Sequence, residues 1–153
     1  MKKVFLLAAF FCSHLCTEAQ TYEYKVITSV ESIIASGVGR SRLIATDEQR
    51  DYEDFTSLRT DGRTIRDRRN TSDRSEIRVK NFEETKLLNF FNLGGIRFQN
   101  IAANDAVMSS KINAMTDKGW ELAFVTSAVE SDAGKDDNGG IFITRYIFKK
   151  LRN

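Results

Sequence analysis

Asn104 to Leu122 reads NDAVMSSKINAMTDKGWEL, and this stretch decides the fold. Met108, Ile112 and Met115 recur at i, i+4 and i+7, with Val107 and Ala114 on the flanks. That is the single apolar stripe of a helix lying on a core. The spacing predicts a helix over Asn104 to Gly119, with Asp105 capping its start through a side-chain oxygen. Gly119 falls where a left-handed terminal residue is wanted, and Trp120 follows, placed to pack back on Met115. A methionine stripe of this kind reads as core packing rather than as a cofactor box.

Outward from the helix the pattern changes period. Trp120 to Val129 (WELAFVTSAV) and Ile141 to Lys149 (IFITRYIFK) are rich in β-branched and aromatic residues, as strands are. Glu130 to Gly140 (ESDAGKDDNGG) joins them as a polar loop, so the pair reads as antiparallel. On the other side, Tyr22 to Ile34 alternates. Tyr22, Tyr24, Val26 and Val30 share one parity, while Glu23, Lys25, Ser29 and Glu31 dominate the other, the signature of a strand with one buried face. Ser36 to Gly39 reads as a turn, and Arg42 to Thr46 as its returning strand. Asn81 to Leu93 reads as a helix, since Asn81 with Glu84 resembles a capping box and Gly94 would end it. Leu88 with Phe90, or Leu87 with Phe91 and Leu93, equally fit strand positions. Ile96, Phe98 and Ile101 then form an apolar connector. The expected architecture is α+β: a small antiparallel, or mixed, sheet with one main amphipathic helix on one face and a strand-helix-strand-strand core.

Residues 47–80 stand apart as a charged insert. Asp47 to Asp54 holds five acids against one Arg, and Arg59 to Lys80 eight bases against four acids. Between Leu58 and Ile77 the one apolar side chain is Ile65. So polar a stretch cannot offset its ordering entropy by burial, which predicts a long mobile loop with a turn at Asp61-Gly62. Thr56 to Asn81 contains no aromatic for base stacking, which argues against nucleic acid as a partner.

The amino terminus has the three parts of a secretion signal. Lys2 and Lys3 precede an apolar run from Val4 to Phe11, and Thr17-Glu18-Ala19 offers small residues for cleavage between Ala19 and Gln20. The run is shorter than the ~20 apolar residues of a spanning helix. Residues 1–19 therefore read as a signal peptide and 20–153 as one exported domain, periplasmic or secreted, with no membrane span after cleavage. Of 153 residues none is Pro; the single His, His14, and both Cys, Cys12 and Cys16, fall in the signal. The exported chain thus lacks the residues for disulfides, thiolate nucleophiles, Cys/His zinc sites and imidazole acid/base chemistry.

YEYKVI at Tyr22 to Ile27, KGWEL at Lys118 to Leu122 and YIFK at Tyr146 to Lys149 occur in that order. The chain here resembles the bacterial family numbered 4177 among domains of unknown function. The resemblance covers about residues 22–34 and 104–150 and omits the charged insert. It implies a compact strand-helix-strand-strand fold and no activity. The motif residues Tyr22, Tyr24, Gly119, Trp120, Tyr146 and Phe148 read as structural: a helix stop, a core Trp and strand aromatics.

Other chemical motifs fail on their own terms. Gly37-Val38-Gly39 lacks the third glycine of a dinucleotide loop, where Arg42 stands. Asp136 to Gly139 resembles part of a calcium loop, but the EF-hand register puts Gly134 and Arg145 at ligand positions. No cofactor, catalytic residue or metal ligand is expected. Three functions remain, in order. The first is a non-catalytic domain that binds an envelope partner or forms a homo-oligomer through its sheet. The second is a small-ligand or polysaccharide binder, with Arg40 and Arg42 as candidate binding residues. The third is a carboxylate-only hydrolase.

Overall fold

The computed structural model describes residues 20–32, 40–59, 71–130 and 140–152. The expected secretion signal, the Gly37–Gly39 and Asp61–Gly62 turns and most of the 130–140 loop lie outside these residues. Five strands form one antiparallel sheet: β1 (Tyr22–Ser32), β2 (Arg42–Ala45), β3 (Glu83–Lys86), β6 (Glu121–Glu130) and β7 (Ile141–Leu151), in the spatial order β3-β2-β1-β7-β6. β4 (Phe91–Asn92) and β5 (Gly95–Ile96) make a separate small hairpin. The long helix α2 (Phe98–Thr116) lies on one face, and α1 (Arg74–Ile77) is a single turn. The architecture is the expected α+β one, with a larger sheet.

The central strands β1 and β7 pair along their whole length, from Tyr22 opposite Leu151 to Ser32 opposite Ile141. Directly opposed residues share a face. Beneath α2 lie Ile27, Leu43, Ala45 and Phe148, which with Leu87 and Met115 form the buried core. Trp120, Leu122, Tyr146, Val107, Met108 and Ile112 pack against it, half-buried.

Three expectations need correction. First, the parity of β1 is reversed. Ile27 and Ser29 are 1% and 2% exposed under the helix, whereas Tyr24 and Val26 are 64% and 44% exposed on the opposite face. Ile27 outweighs its polar neighbours because its register partners, Ala45 and Tyr146, belong to the helix-covered face, and a strand must follow its ladder. Second, residues 83–86 are not helical but form β3, paired with β2 from Arg42 opposite Lys86 to Ala45 opposite Glu83. Ladder bonds override a weak local helix preference here. Third, Phe98 to Ile101 is the first turn of α2 rather than a connector, and the helix cap is Arg97, not Asp105. Asn104 misleads as a helix-start signal because its side chain is spent inward, on the backbone of Leu88. β6 is the strand the residues imply, with one irregularity: a bulge between Leu122 and Phe124 sets two residues against one. Leu122 faces the helix side opposite Phe148, and Phe124 is turned outward opposite Ile147.

The helix stop is as the residues imply. Gly119 has φ +82°, the Trp120 N–H donates to the Met115 carbonyl at 3.1 Å, and the Gly119 N–H to that of Thr116 at 2.8 Å. The described ends of the charged insert carry a 3-10 turn at Tyr52–Phe55 and the turn α1. Glu48 ties them together, accepting from the Asn81 N–H at 2.8 Å and Nδ2 at 2.7 Å and from Arg50 at 2.7 Å. Arg50 in turn donates to the Arg78 carbonyl at 2.9 Å.

Candidate functional site

Two features stand outside ordinary core building. The first is the sheet face turned away from α2. Register places Tyr22, Tyr24, Val26, Thr28 and Val30 of β1 on it, with Ile143, Arg145, Ile147, Lys149 and Leu151 of β7 beside them. β6 adds Phe124, 63% exposed, through its bulge, and β2 adds Ile44. Charges rim this face: Glu121 and Glu130 at the ends of β6, and Arg42, Glu84 and Lys86 on β2 and β3. Lys149 pairs with Glu121 at 3.4 Å and lies 5.2 Å from the ring centroid of Tyr22. Sequence reading missed the face because it took the apolar parity of β1 as the buried one.

The second is an open cavity of about 410 Å³ where β2 and β3 leave the sheet toward the start of α2, lined by Arg40, Ser41, Arg42, Lys86, Leu87, Leu88, Asn89 and Asn100. The structure brings both candidate arginines to it and adds Lys86. Its polar wall is locked. Asn89 Oδ1 accepts from the Ser41 hydroxyl at 2.7 Å and from the Ser41 N–H at 3.2 Å. Asn100 Nδ2 donates to the Asn89 carbonyl at 2.7 Å, and Ser41 Oγ accepts from the Ser32 N–H at 3.0 Å. Arg42 binds the Glu84 carboxylate through Nε and the Ser41 carbonyl through Nη1.

The remaining motif aromatics lie in or against the core. Phe148 is buried in the core, while Tyr146 and Trp120 are half-buried against it. Gln20 is exposed and accepts from the Tyr22 hydroxyl at 2.8 Å. Burial pushes the Glu31 carboxyl above its ordinary range, and the negative charge of Asp105 on α2 adds to this. Burial likewise raises the Tyr146 hydroxyl, against a hydrogen bond with Ser29. Neither Glu31 nor Asp105 lines the cavity beside Arg40. Among the described residues no group of three or more His, Cys, Asp or Glu is placed to hold a metal ion, and no helix is long and apolar enough to cross a membrane.

The chain matches no protein-family model, no curated protein and no solved structure.

Proposed function

We propose that the protein is a non-catalytic exported domain that associates with a second copy of itself through the open face of its sheet. The observation that carries this reading is the apolar face of Tyr24, Val26, Ile147 and Phe124 on the side away from the helix. An uncovered apolar patch of this kind marks an interaction surface.

Size favours a second copy. Strands of 11, 11 and 10 residues with two short ones beside them present a footprint of about 600 Å² at ~3.3 Å per residue and ~4.8 Å per strand. Side chains standing on that footprint bring its accessible area toward the ~800 Å² per partner of a stable interface.

Charge favours it too. A two-fold axis running along β1 lays β7 over β2 and β6 over β3. Arg145 then lies over the row that holds Ile44 and Glu84, and Glu130 approaches Lys86. Such a pairing is isologous and self-limiting, and it stacks the sheets in the aligned manner of β-sandwiches.

Size-exclusion chromatography with light scattering tests it at about 100 µM, a concentration at which a micromolar dimer is filled. The parent chain is expected to run as a dimer, and Val26→Glu, at the centre of the face and away from either sheet edge, as a folded monomer by circular dichroism. A monomeric parent, or a dimeric Val26→Glu, overturns the proposal.

A further inference from the structure

We infer that the cavity at the open end of β2 and β3 binds a tetrahedral dianion, a phosphate monoester of a small polar ligand or the free phosphate ion. Three cations line it, Arg40, Arg42 and Lys86, and its lining contains no acid. Glu84 meets Arg42 from outside the lining and offsets one of the three charges. The two that remain match a dianion and exceed what a single carboxylate needs.

Donor chemistry points the same way. Guanidinium forks grip oxyanions in bidentate fashion, and a lysine ammonium adds a point charge, the combination that phosphate sites use. Arg42 commits Nε to Glu84 and Nη1 to the Ser41 carbonyl, which fixes the plane of its fork.

The site is built rather than accidental. Ser41 is 1% exposed and lies between the two arginines in sequence. Its bonds to Asn89 and Ser32, with the bond from Asn100, hold the wall in one arrangement before any ligand arrives. Preorganisation of this kind removes part of the ordering cost of binding. At about 410 Å³ the cavity lies near the lower end of small-molecule sites, which suits a monosaccharide-sized ligand rather than a polymer.

The test is titration of the full exported chain, isotope-labelled, with inorganic phosphate, glycerol 3-phosphate and acetate at constant ionic strength, followed by amide chemical shifts. Saturable shifts at Ser41, Arg42, Asn89 and Asn100 with either phosphate are expected. Stronger binding of glycerol 3-phosphate assigns the site to an ester, and stronger binding of inorganic phosphate to the free ion; both carry the inference. Arg40→Ser and Lys86→Ser are each expected to weaken binding at least ten-fold, while Lys111→Ser, on α2 and paired with Glu83, leaves it unchanged. Shifts that do not saturate, acetate binding as tightly as phosphate, or equal loss in all three variants overturn it. Lys86 also rims the face assigned to the dimer, whereas Arg40 precedes β2 and lies outside the paired strands, so Arg40→Ser is expected to weaken phosphate binding with the dimer intact and keeps the two tests apart.

Discussion

Asn104 on α2 forms a closed pair of hydrogen bonds with the backbone of Leu88: its Oδ1 accepts from the Leu88 N–H and its Nδ2 donates to the Leu88 carbonyl, both at 2.8 Å. The side chain mimics a neighbouring strand. It takes over at Leu88, one residue past the last bond to the β2 side, from the Leu87 N–H to the Ser41 carbonyl at 3.1 Å, and it fastens the helix to the chain entering the small hairpin. Asn104 is 5% exposed, so water cannot replace these bonds. Asn104→Leu leaves two backbone groups unsatisfied and is expected to cost about 2 to 4 kcal/mol. Urea denaturation, with an unchanged m-value, checks it.

Gly119 tests the helix stop. A Cβ there would meet nothing nearer than Lys150 Cε at 3.5 Å, so space is not the obstacle. The φ of +82° is. Gly119→Ala is expected to lower stability by about 1 to 2 kcal/mol through backbone strain alone. Thermal melting measures it, and no loss would mean that the turn relaxes to another conformation.

Phe148 and Trp120 separate burial from exposure among the motif aromatics. Phe148 is 1% exposed between Lys25 and Leu122 in register, and Phe148→Ala is expected to cost about 3 to 5 kcal/mol. Trp120 is half-buried, with the Lys150 ammonium 5.9 Å from its ring centroid. Trp120→Ala is expected to cost less than Phe148→Ala by chemical denaturation of both variants.

Glu31 sets a pH dependence of opposite sign to the usual carboxylate. Burial, and then Asp105, raise its folded value above the unfolded one. The folded state therefore binds the proton more tightly, and the group's penalty is absent below the ordinary carboxylate range and grows as pH rises through the raised value. Glu31→Gln is expected to stabilise the protein at neutral pH, with the gain vanishing on acidification. Denaturation midpoints of parent and variant between pH 4 and 8 decide it.

Glu48 behaves the other way. The Asn81 N–H, with further bonds from Arg50, Lys80 and the Asn81 side chain, holds its carboxyl below the usual range. Its contribution is present above the ordinary carboxylate value and is lost as pH falls through the lowered one. Glu48→Gln is expected to speed proteolytic cutting between residues 50 and 78 while leaving the thermal midpoint of the sheet nearly unchanged. Timed trypsin digestion with mass analysis reads the first; a melt reads the second.

How far the sequence discloses this molecule differs by element. β6, β7 and the end of α2 are legible because hydrophobic period, a glycine and a tryptophan coincide there. β3 is not, since Glu83 to Lys86 becomes a strand through its partner Arg42 to Ala45, and no local pattern records a ladder. The outward face of β1 is misread for a related reason. Alternation tells that two faces differ but not which one a distant helix will cover. Of the cavity, Arg40 and Arg42 are visible as charges beside a glycine turn. Lys86, Asn89 and Asn100 join them only through folding, and Asn104 gives no spacing signal at all.

The Glu48 tie has an architectural consequence. The polypeptide leaves at residue 50 and returns at residue 78 through one point, where Arg50 meets the Arg78 carbonyl. Lengthening what lies between costs the sheet little, since doubling such an excursion adds only about 0.6 kcal/mol of closure entropy. The position is thus a natural graft point: the excursion can be lengthened there while the register of every strand stays as it is.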